Sequence, residues 1–199
     1  DSDRSEFVIV SGRRRIGKTY HIDNYFNYKN YFTFVGEHKT PAKIQLQDFM
    51  RAIERHSKKK QPKVANWYEA FNALADYLEK LPSKRKKVVF IDEMPWMDTQ
   101  RSNFVSALEN FWNGWGNRRT DIVFIATGSA TSWMADKIGG NQGGLHARIT
   151  CNLHLSPFTL HETEEYLRQR NCQWDRYQIL QCYMIFGGTP FYLSLLNVS

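Results

Sequence analysis

The sequence has few cysteines and lacks any recurrent spacing of metal ligands. Its three cysteines, Cys151, Cys172 and Cys182, make neither an even disulfide set nor a C-x-x-C pair. The six histidines show no H-x-x-x-H pattern, so we predict no zinc site. No apolar run approaches the roughly 20 residues that a membrane span needs, and no signal peptide is visible. These absences predict a protein of the reducing cytoplasm without a membrane partner.

The composition predicts a packed domain with an excess of positive charge. Of the 199 residues, 42% are hydrophobic and 15% aromatic, which suits one core and a small second lobe. The net charge of +7 favours anionic partners. Two lysine-rich runs, residues 58–60 and 84–87, contribute to it, either as a solvated surface or as a nucleic-acid contact. The first strand begins almost at once and the chain ends in an apolar run, so we expect a longer protein.

A loop of glycine and arginine follows the first apolar run, residues 6–11. Gly12 and Gly17 bracket four residues, and Lys18 and Thr19 follow at the start of a helix. This is the spacing of a phosphate-binding loop, in which backbone N–H groups and the helix start surround phosphates. An ordinary glycine-rich turn is the alternative. The candidate nucleotide-binding residues here are Gly12, Arg13, Arg14, Arg15, Ile16, Gly17, Lys18, Thr19 and Tyr20.

A second apolar run ends in two carboxylates, Asp92 and Glu93. In parallel α/β sheets, ligands bind at the carboxyl ends of the strands. Asp92 would hold magnesium there together with Thr19, while Lys18 would reach the β- and γ-phosphates. Glu93 would orient and deprotonate an attacking water. Alone, such a run is a weak signal, but after a phosphate-binding loop it predicts triphosphate hydrolysis.

The spacing of apolar runs predicts an α/β fold. Strands are expected at residues 6–11, 31–36, 87–93, 121–129 and 151–155. The first strand, the helix that opens at Gly17 and the second strand form a βαβ unit, which implies a parallel sheet. Ser129, at the end of the fourth strand, either touches the γ-phosphate or caps the next helix. A glycine-rich loop at 139–144 is either a gate or a linker.

Helices without intervening strands follow the last strand and predict a separate small lobe. Thr159 with Glu162 matches a helix cap, and Pro190 fits the first turn of a final helix. We place the α/β domain at residues 1–157 and the beginning of a helical lid at 158–199.

Together, these motifs resemble the archaeal and bacterial AAA-type ATPase family, which is close to the STAND switch ATPases. The resemblance covers essentially the whole chain. It is carried by Gly12-x-x-x-x-Gly17-Lys18-Thr19, Phe90-Ile91-Asp92-Glu93, Thr127-Gly128-Ser129, Leu155-x-Pro157-Phe158 and Gly187-Gly188-x-Pro190-x-Tyr192-Leu193. It implies a five-stranded parallel sheet of order 5-1-4-3-2 with helices on both faces, a helical lid, and ATP and Mg²⁺ as cofactors.

The resemblance also implies roles for single residues. Asp92 corresponds to the magnesium acid, Glu93 to the catalytic base, and Ser129 to the sensor on the fourth strand. Arg148, just before the fifth strand, corresponds to an arginine finger that normally reaches a neighbour's nucleotide; a surface arginine is the alternative. Gly188 and Pro190 correspond to the lid segment that contacts the nucleotide.

The leading hypothesis is an ATPase that couples Mg·ATP hydrolysis to a conformational change between sheet and lid, as a homo-oligomer if Arg148 acts in trans. A nucleotide-gated DNA-binding module with little turnover is the second hypothesis, with residues 57–63 and 84–87 or downstream regions as its DNA contacts. A small-molecule kinase is the third, although Glu93 beside Asp92 suits water activation better than an acceptor site.

Overall fold

The computed structural model describes residues 3–26, 32–82, 85–129, 133–138 and 144–198. Its centre is a five-stranded parallel sheet of order β2-β3-β4-β1-β5, which confirms the predicted order. The strands are β1 (Glu6–Gly12), β2 (Phe32–Val35), β3 (Lys87–Asp92), β4 (Ile122–Gly128) and β5 (Cys151–Leu155). Because all five run in the same direction, Gly12, Asp92 and Gly128 reach one common edge, which we call the carboxyl edge.

Seven α-helices accompany the sheet in the described residues. They are α1 (Lys18–Phe26), α2 (Ala42–Ser57), α3 (Trp67–Glu79), α4 (Phe104–Gly114), α5 (Leu160–Gln169), α6 (Arg176–Phe186) and α7 (Pro190–Ser194). Shorter helical turns lie at Met94–Met97, Gly116–Arg118, Met134–Ile138 and His146–Arg148. Within these ranges, every helix is too short or too polar to cross a membrane.

Alternate residues of the central strands face opposite sides of the sheet, as the period of two requires. In β1, Phe7 and Ile9 join the large core with α2, α3 and α4, whereas Val10 joins a smaller core with Ile22 of α1. This division follows from chain handedness. The crossover from β1 to β2 runs along the sheet in the direction opposite to the later ones, so a right-handed connection puts α1 alone on its face.

The larger core is rich in aromatic side chains that are almost completely buried. Phe49, Trp67, Phe71 and Phe104 contact one another edge-on or tilted, with ring centroids 5.2–6.1 Å apart. Such pairs add about 0.5–1.5 kcal/mol each beyond the area they bury. This packing fixes α2, α3 and α4 on the sheet and thereby holds the carboxyl edge in place.

Local signals set most helix boundaries. Asn66 caps α3 by accepting from the backbone N–H of Glu69 at 3.0 Å, and the Glu69 carboxylate accepts from Ala65 N rather than from the Asn66 backbone. Thr159 and Glu162 form the expected capping box of α5, and Pro190 opens α7. The segment after β3 contains a helical turn at Met94–Met97. The predicted glycine-rich loop falls on residues 139–143, outside the described part, except for Gly144.

The last three helices bury a core of their own, formed by Leu167, Cys172, Ile179, Cys182, Leu193 and Val198. We call this part the helical lobe. It is tied to the end of the sheet by a hydrogen bond from Phe158 N to Gly188 O, 2.9 Å long. A Cβ on Gly188 would lie 2.0 Å from Phe158 O, and its φ of +67° is left-handed, so glycine is required for this approach. The boundary at residue 157 stays a prediction.

Candidate functional site

The loop between β1 and α1 packs closely against the end of β5. Gly12 has a φ of +140°, and a Cβ there would stand 2.3 Å from Leu155 O, so only glycine fits. Lys18 opens α1 and turns back over the loop, where its ammonium donates to Gly12 O at 3.0 Å and Arg13 O at 3.1 Å. Burial lowers the pKa of Lys18, although Glu93 and Asp92 act in the opposite direction. The loop therefore holds its own cation where an anion would be bound.

The Asp92 carboxylate at the end of β3 accepts hydrogen bonds from several directions. Thr19 Oγ1 donates to one oxygen at 2.7 Å, and the buried Thr127 hydroxyl donates to the other. The backbone N–H of Glu93 also reaches Asp92, at 3.0 Å. A hydroxyl and a carboxylate oxygen in contact match the oxygen donors that Mg²⁺ takes from a phosphate-binding loop and an adjacent strand. Thr19 and Asp92 therefore fit the predicted metal role.

Glu93 leaves the strand in a left-handed conformation with a φ of 49°, which is unusual for a residue with a side chain. Its carboxylate is held from β4: Ser129 Oγ donates to it at 2.9 Å and Ser129 N approaches at 3.3 Å. Thr127 Oγ1 accepts from Glu93 N at 3.1 Å. Neighbouring strands thus hold the two acids, and Ser129 contacts Glu93.

The phosphate-binding loop and Glu93 border a cleft of about 650 Å³ that extends to the helical lobe. This volume lies within the range of about 300–1,000 Å³ typical of small-molecule sites. On the sheet side the cleft is lined by Arg14, Arg15, Ile16, Gly17, Lys18, Thr19, Tyr20, His21 and Glu93. On the lobe side it is lined by Phe158, Tyr166, Pro190, Phe191 and Ser194. The charged groups lie on the sheet side and three aromatic rings line the lobe side, which suits a ligand with phosphates and a flat base.

Arg15 connects the loop to α7 directly. Its guanidinium donates to Tyr192 Oη at 2.9 Å and lies 4.7 Å from the Phe191 ring centroid and 5.2 Å from that of Tyr192. The Arg15 carbonyl accepts from Phe191 N at 3.4 Å. Arg15 adopts this position with a φ of 72°, a left-handed value that costs about 1–2 kcal/mol for a residue with a Cβ. We call these contacts the arginine clasp.

Two of the predicted site residues lie apart from the cleft. Arg148 ends a helical turn just before β5 and is exposed. Since Cys151 pairs with Val8 while Leu155 pairs with Gly12, Arg148 lies towards the opposite edge of the sheet, separated from the loop by the length of β5, about 13 Å. Gly188 contacts Phe158 rather than the cleft, whereas Pro190 lines it. The sequence-based candidates of the loop, together with Asp92, Glu93 and Ser129, come together.

The structure adds residues that sequence reasoning missed. Thr127 is fully buried and donates a hydrogen bond to Asp92. The sequence could have indicated this role, because Thr127 is a polar residue within an apolar strand and follows Ala126, which pairs with Ile91 next to Asp92. His21 also lines the cleft, one helical turn after Lys18. Phe191 and Tyr192 contact Arg15 across more than 170 residues of sequence, a distance at which no local pattern carries information.

Comparison with known proteins agrees with this geometry. A family model described as an AAA domain matches residues 4–164, which includes the sheet and the phosphate-binding loop. The chain belongs to this AAA domain family. It is therefore a nucleotide-binding domain of the ATPase type. The part of the chain that matches the AAA domain contains the phosphate-binding loop and the ends of β3 and β4, where the site residues lie.

Three similar proteins come from archaea. An uncharacterized protein of Methanocaldococcus jannaschii is 25% identical over 98% of this chain, which spans 40% of that relative's length. A Walker-type ATPase of Pyrococcus abyssi has a TM-score of 0.66 at 20% identity, with 94% of this chain matching 60% of that one. A STAND protein of Pyrococcus horikoshii with a tetratricopeptide repeat sensor has a TM-score of 0.55 at 17% identity, covering 96% of this chain and 27% of that one. The solved structures establish that the AAA domain's fold is shared.

Proposed function

We propose that this AAA domain binds Mg·ATP, hydrolyses it, and transmits the nucleotide state to the helical lobe. The observation that carries the proposal is that Lys18, Thr19 and Glu93 line one cleft that also touches the lobe, with Asp92 bonded to Thr19. Lysine, hydroxyl and magnesium acid suit charge neutralisation around the phosphates. Glu93 adds a second carboxylate at the same edge, which could activate water and which a module that only binds nucleotide would not need.

In the proposed reaction, water attacks the γ-phosphorus, the bond between that phosphorus and the β,γ-bridging oxygen breaks, and ADP leaves. Glu93 takes the proton of the attacking water. Lys18 exchanges its hydrogen bonds to the loop carbonyls for contacts with the phosphates, so that its positive charge is paired with a negative one. Thr19 and Asp92 would hold Mg²⁺, whose contribution when bound would be to neutralise phosphate charge.

Ser129 has a specific place in this proposal. Its hydroxyl carries a single proton and donates it to Glu93 in the nucleotide-free site. A γ-phosphate oxygen within reach would be a competing acceptor of higher negative charge. If the hydroxyl turns to the phosphate, one restraint on the Glu93 carboxylate is released at the moment when a base is required. Through Ser129, the presence of a γ-phosphate would thus change the hydrogen bonding of the catalytic base, Glu93.

The arginine clasp supports coupling to the lobe. Arg15 belongs to the phosphate-binding loop, while Phe191 and Tyr192 belong to α7, so a ligand that changes the loop also changes the hold on α7. Pro190 and Phe191 line the same cleft and would contact the nucleotide from the lobe side. Hydrolysis would thus reach the lobe through a loop residue and through the ligand.

Arg148 is proposed as a residue that acts on a neighbouring molecule's nucleotide. Its place before β5, away from its own phosphate-binding loop, leaves its own cleft out of reach. In that case the rate per subunit rises with protein concentration, whereas a rate independent of concentration would contradict the role in trans.

Two variants test the proposal. Lys18→Ala should abolish binding in a titration with a fluorescent ATP analogue. Glu93→Gln should bind the analogue normally but release phosphate at least a hundredfold more slowly, because a general base contributes about 10²–10⁴-fold. Glu165→Gln, an exposed carboxylate on α5, is the matched control and should behave as the unmodified protein.

Phosphate release is measured without any added acceptor, which separates hydrolysis from a kinase reaction. Normal turnover by Glu93→Gln would refute the base assignment. ADP formation that requires a small-molecule acceptor and yields no free phosphate would favour the kinase, because the γ-phosphoryl group is then transferred to the acceptor.

A further inference from the structure

Basic segments that are far apart in the sequence meet at the edge of the sheet where the strands begin. The end of α2 lies beside the start of β2, since Thr33 N donates to His56 Nε2 at 3.3 Å. The end of α3 lies beside the start of β3, because the Lys87 ammonium donates to Leu78 O at 2.7 Å. The start of β1 joins them through a bond from Lys86 Nζ to Arg4 O, 2.6 Å long. The cationic residues gathered in this way, which we call the basic edge, are Arg4, Lys58, Lys59, Lys60, Lys80, Arg85, Lys86 and Arg118.

Several acids of the same region have cationic partners. Asp121 pairs with Lys87 at 3.0 Å and with Arg119 at 2.7 Å, and Glu79 pairs with Arg119 at 3.7 Å. Glu6 pairs with Arg4 of the basic edge itself at 3.5 Å. Asp3 adds one exposed negative charge beside Arg4. Lys58, Lys59, Lys60, Lys80, Arg85 and Arg118 are exposed, and no ion pair is found for them within the described ranges. The basic edge therefore presents several uncompensated positive charges to solvent.

We propose that the basic edge binds the phosphate backbone of a duplex nucleic acid, independently of the nucleotide cleft. Phosphate contacts need exposed Lys and Arg supplemented by neutral donors, and exposed Asn117 and Thr120 lie among them. From β2 to β1 the edge spans three strand spacings, about 14 Å, which is comparable to the major-groove width of about 12 Å. Cations at its two ends are therefore spaced to meet phosphates on both sides of a groove.

The surface lacks what other anionic partners require. Protein interfaces are anchored by aromatic and apolar side chains, and membrane-surface segments by apolar insertion. The large exposed apolar side chains of the described residues lie on α1, in β2 and β5, at the starts of α2 and α3, and in the helical lobe. Trp115, three residues before Arg118, is half-buried and lies under the Arg119 guanidinium, 5.0 Å from its ring centroid. A charged surface whose own residues provide no apolar anchor fits a backbone of phosphates.

The test measures fluorescence anisotropy of a labelled mixed-sequence DNA duplex of about 20 base pairs, two helical turns. Affinity should fall steeply between about 50 and about 200 mM NaCl, with a log–log slope of about −0.9 per phosphate neutralised. The variant Lys58→Ala/Lys59→Ala/Lys60→Ala should weaken binding at least about tenfold and make the slope shallower by about 2 to 3, close to one for each phosphate that is no longer neutralised. A second duplex of different sequence should bind equally well.

The matched control is Lys39→Ala/Lys43→Ala/Lys137→Ala, which removes the same charge from exposed positions elsewhere. It should change affinity by less than about twofold, a shift that long-range charge alone can produce. Circular dichroism and ATP-analogue titration confirm that both variants fold. The proposal would be overturned if the unmodified protein did not bind the duplex at low salt, or if the two variants lost duplex affinity equally. It would also be overturned if the lysine 58–60 variant bound phosphatidylserine vesicles more weakly than the unmodified protein but kept its affinity for the duplex. Since the lysines replaced lie far from the cleft, failure here leaves the ATPase proposal intact.

Discussion

Replacing Arg15 tests how the phosphate-binding loop holds the helical lobe. Arg15→Ala removes the hydrogen bond to Tyr192 and the contacts with two rings, but leaves the backbone in its left-handed conformation. Arg15→Gly removes the same contacts and also relieves the backbone strain. The pair of variants therefore separates the contacts from the conformation.

The expected magnitudes follow from the geometry. The exposed hydrogen bond to Tyr192 contributes about 1 kcal/mol, and an exposed cation–π contact contributes about 0.5–1 kcal/mol. Together they stabilise the docked α7 by about 1.5–2 kcal/mol, a factor of roughly 10–30 in the opening equilibrium. The left-handed φ of Arg15 costs about 1–2 kcal/mol, which Arg15→Gly recovers. In global unfolding Arg15→Gly should thus be more stable than Arg15→Ala, although both release α7 equally.

Hydrogen exchange of the nucleotide-free protein is the assay. Amides of residues 191–196 should exchange about 10–30-fold faster in both variants, whereas those of α5 should be unchanged because the contacts of Arg15 are made with α7. Tyr192→Phe, which keeps the ring and removes the hydroxyl, should give about a fivefold effect, equivalent to about 1 kcal/mol. Unchanged exchange at 191–196 in Arg15→Ala would refute the reasoning, since the clasp would then contribute nothing to docking.

Other perturbations have distinct expected outcomes. Ser129→Ala should keep ATP affinity and lower kcat about 10–100-fold, because the reacting phosphate then lacks one hydrogen-bond donor; a change in KM alone would contradict this. Lys87→Met should lower the free energy of unfolding in urea by about 1–3 kcal/mol, since it leaves the buried Leu78 carbonyl without its donor. Asn66→Ala removes the cap of α3 and should cost about 1 kcal/mol in the same assay. Because burial lowers the pKa of Lys18, ATP affinity, constant near neutral pH, should begin to fall at a pH below the usual lysine pKa of about 10.4.

The fold was predictable because its signals are local and repeated. Apolar runs without alternation indicate buried parallel strands, and the βαβ unit implies right-handed crossovers, so a parallel α/β sheet could be predicted from the residues. The order of its strands was predicted from the resemblance to the AAA-type ATPase family. The loop residues and the Asp92–Glu93 pair follow a fixed spacing that their chemistry requires. The caps at Asn66 and Thr159 are likewise set within four residues of sequence.

The remaining features depend on contacts between distant segments. Nothing in the sequence indicates that the two lysine-rich runs lie at the same edge of the sheet as Arg4 and Arg118. Their proximity depends on where α2 and α3 end and on where the segment before β4 lies. Ser129 fits either a helix cap or a phosphate contact by sequence alone; the structure places its hydroxyl on Glu93, a partner 36 residues earlier. Such pairings follow from strand register, which composition does not encode.

Arg15 combines a left-handed backbone conformation in the phosphate-binding loop with side-chain contacts to the helical lobe. Its backbone requires a left-handed turn for which glycine would be favourable, and yet an arginine stands there at a cost of about 1–2 kcal/mol. If its purpose were only to attract phosphate, Arg13 and Arg14 would supply charge from the same loop without an aromatic partner. The guanidinium instead lies against Phe191 and Tyr192 and shares one peptide segment with the phosphate-binding amides. Because Arg15 is strained and connects the phosphate-binding loop to α7, a change of nucleotide that moves the loop would alter the contacts of Arg15 with the lobe directly. Arg15 is therefore the position at which we would test coupling.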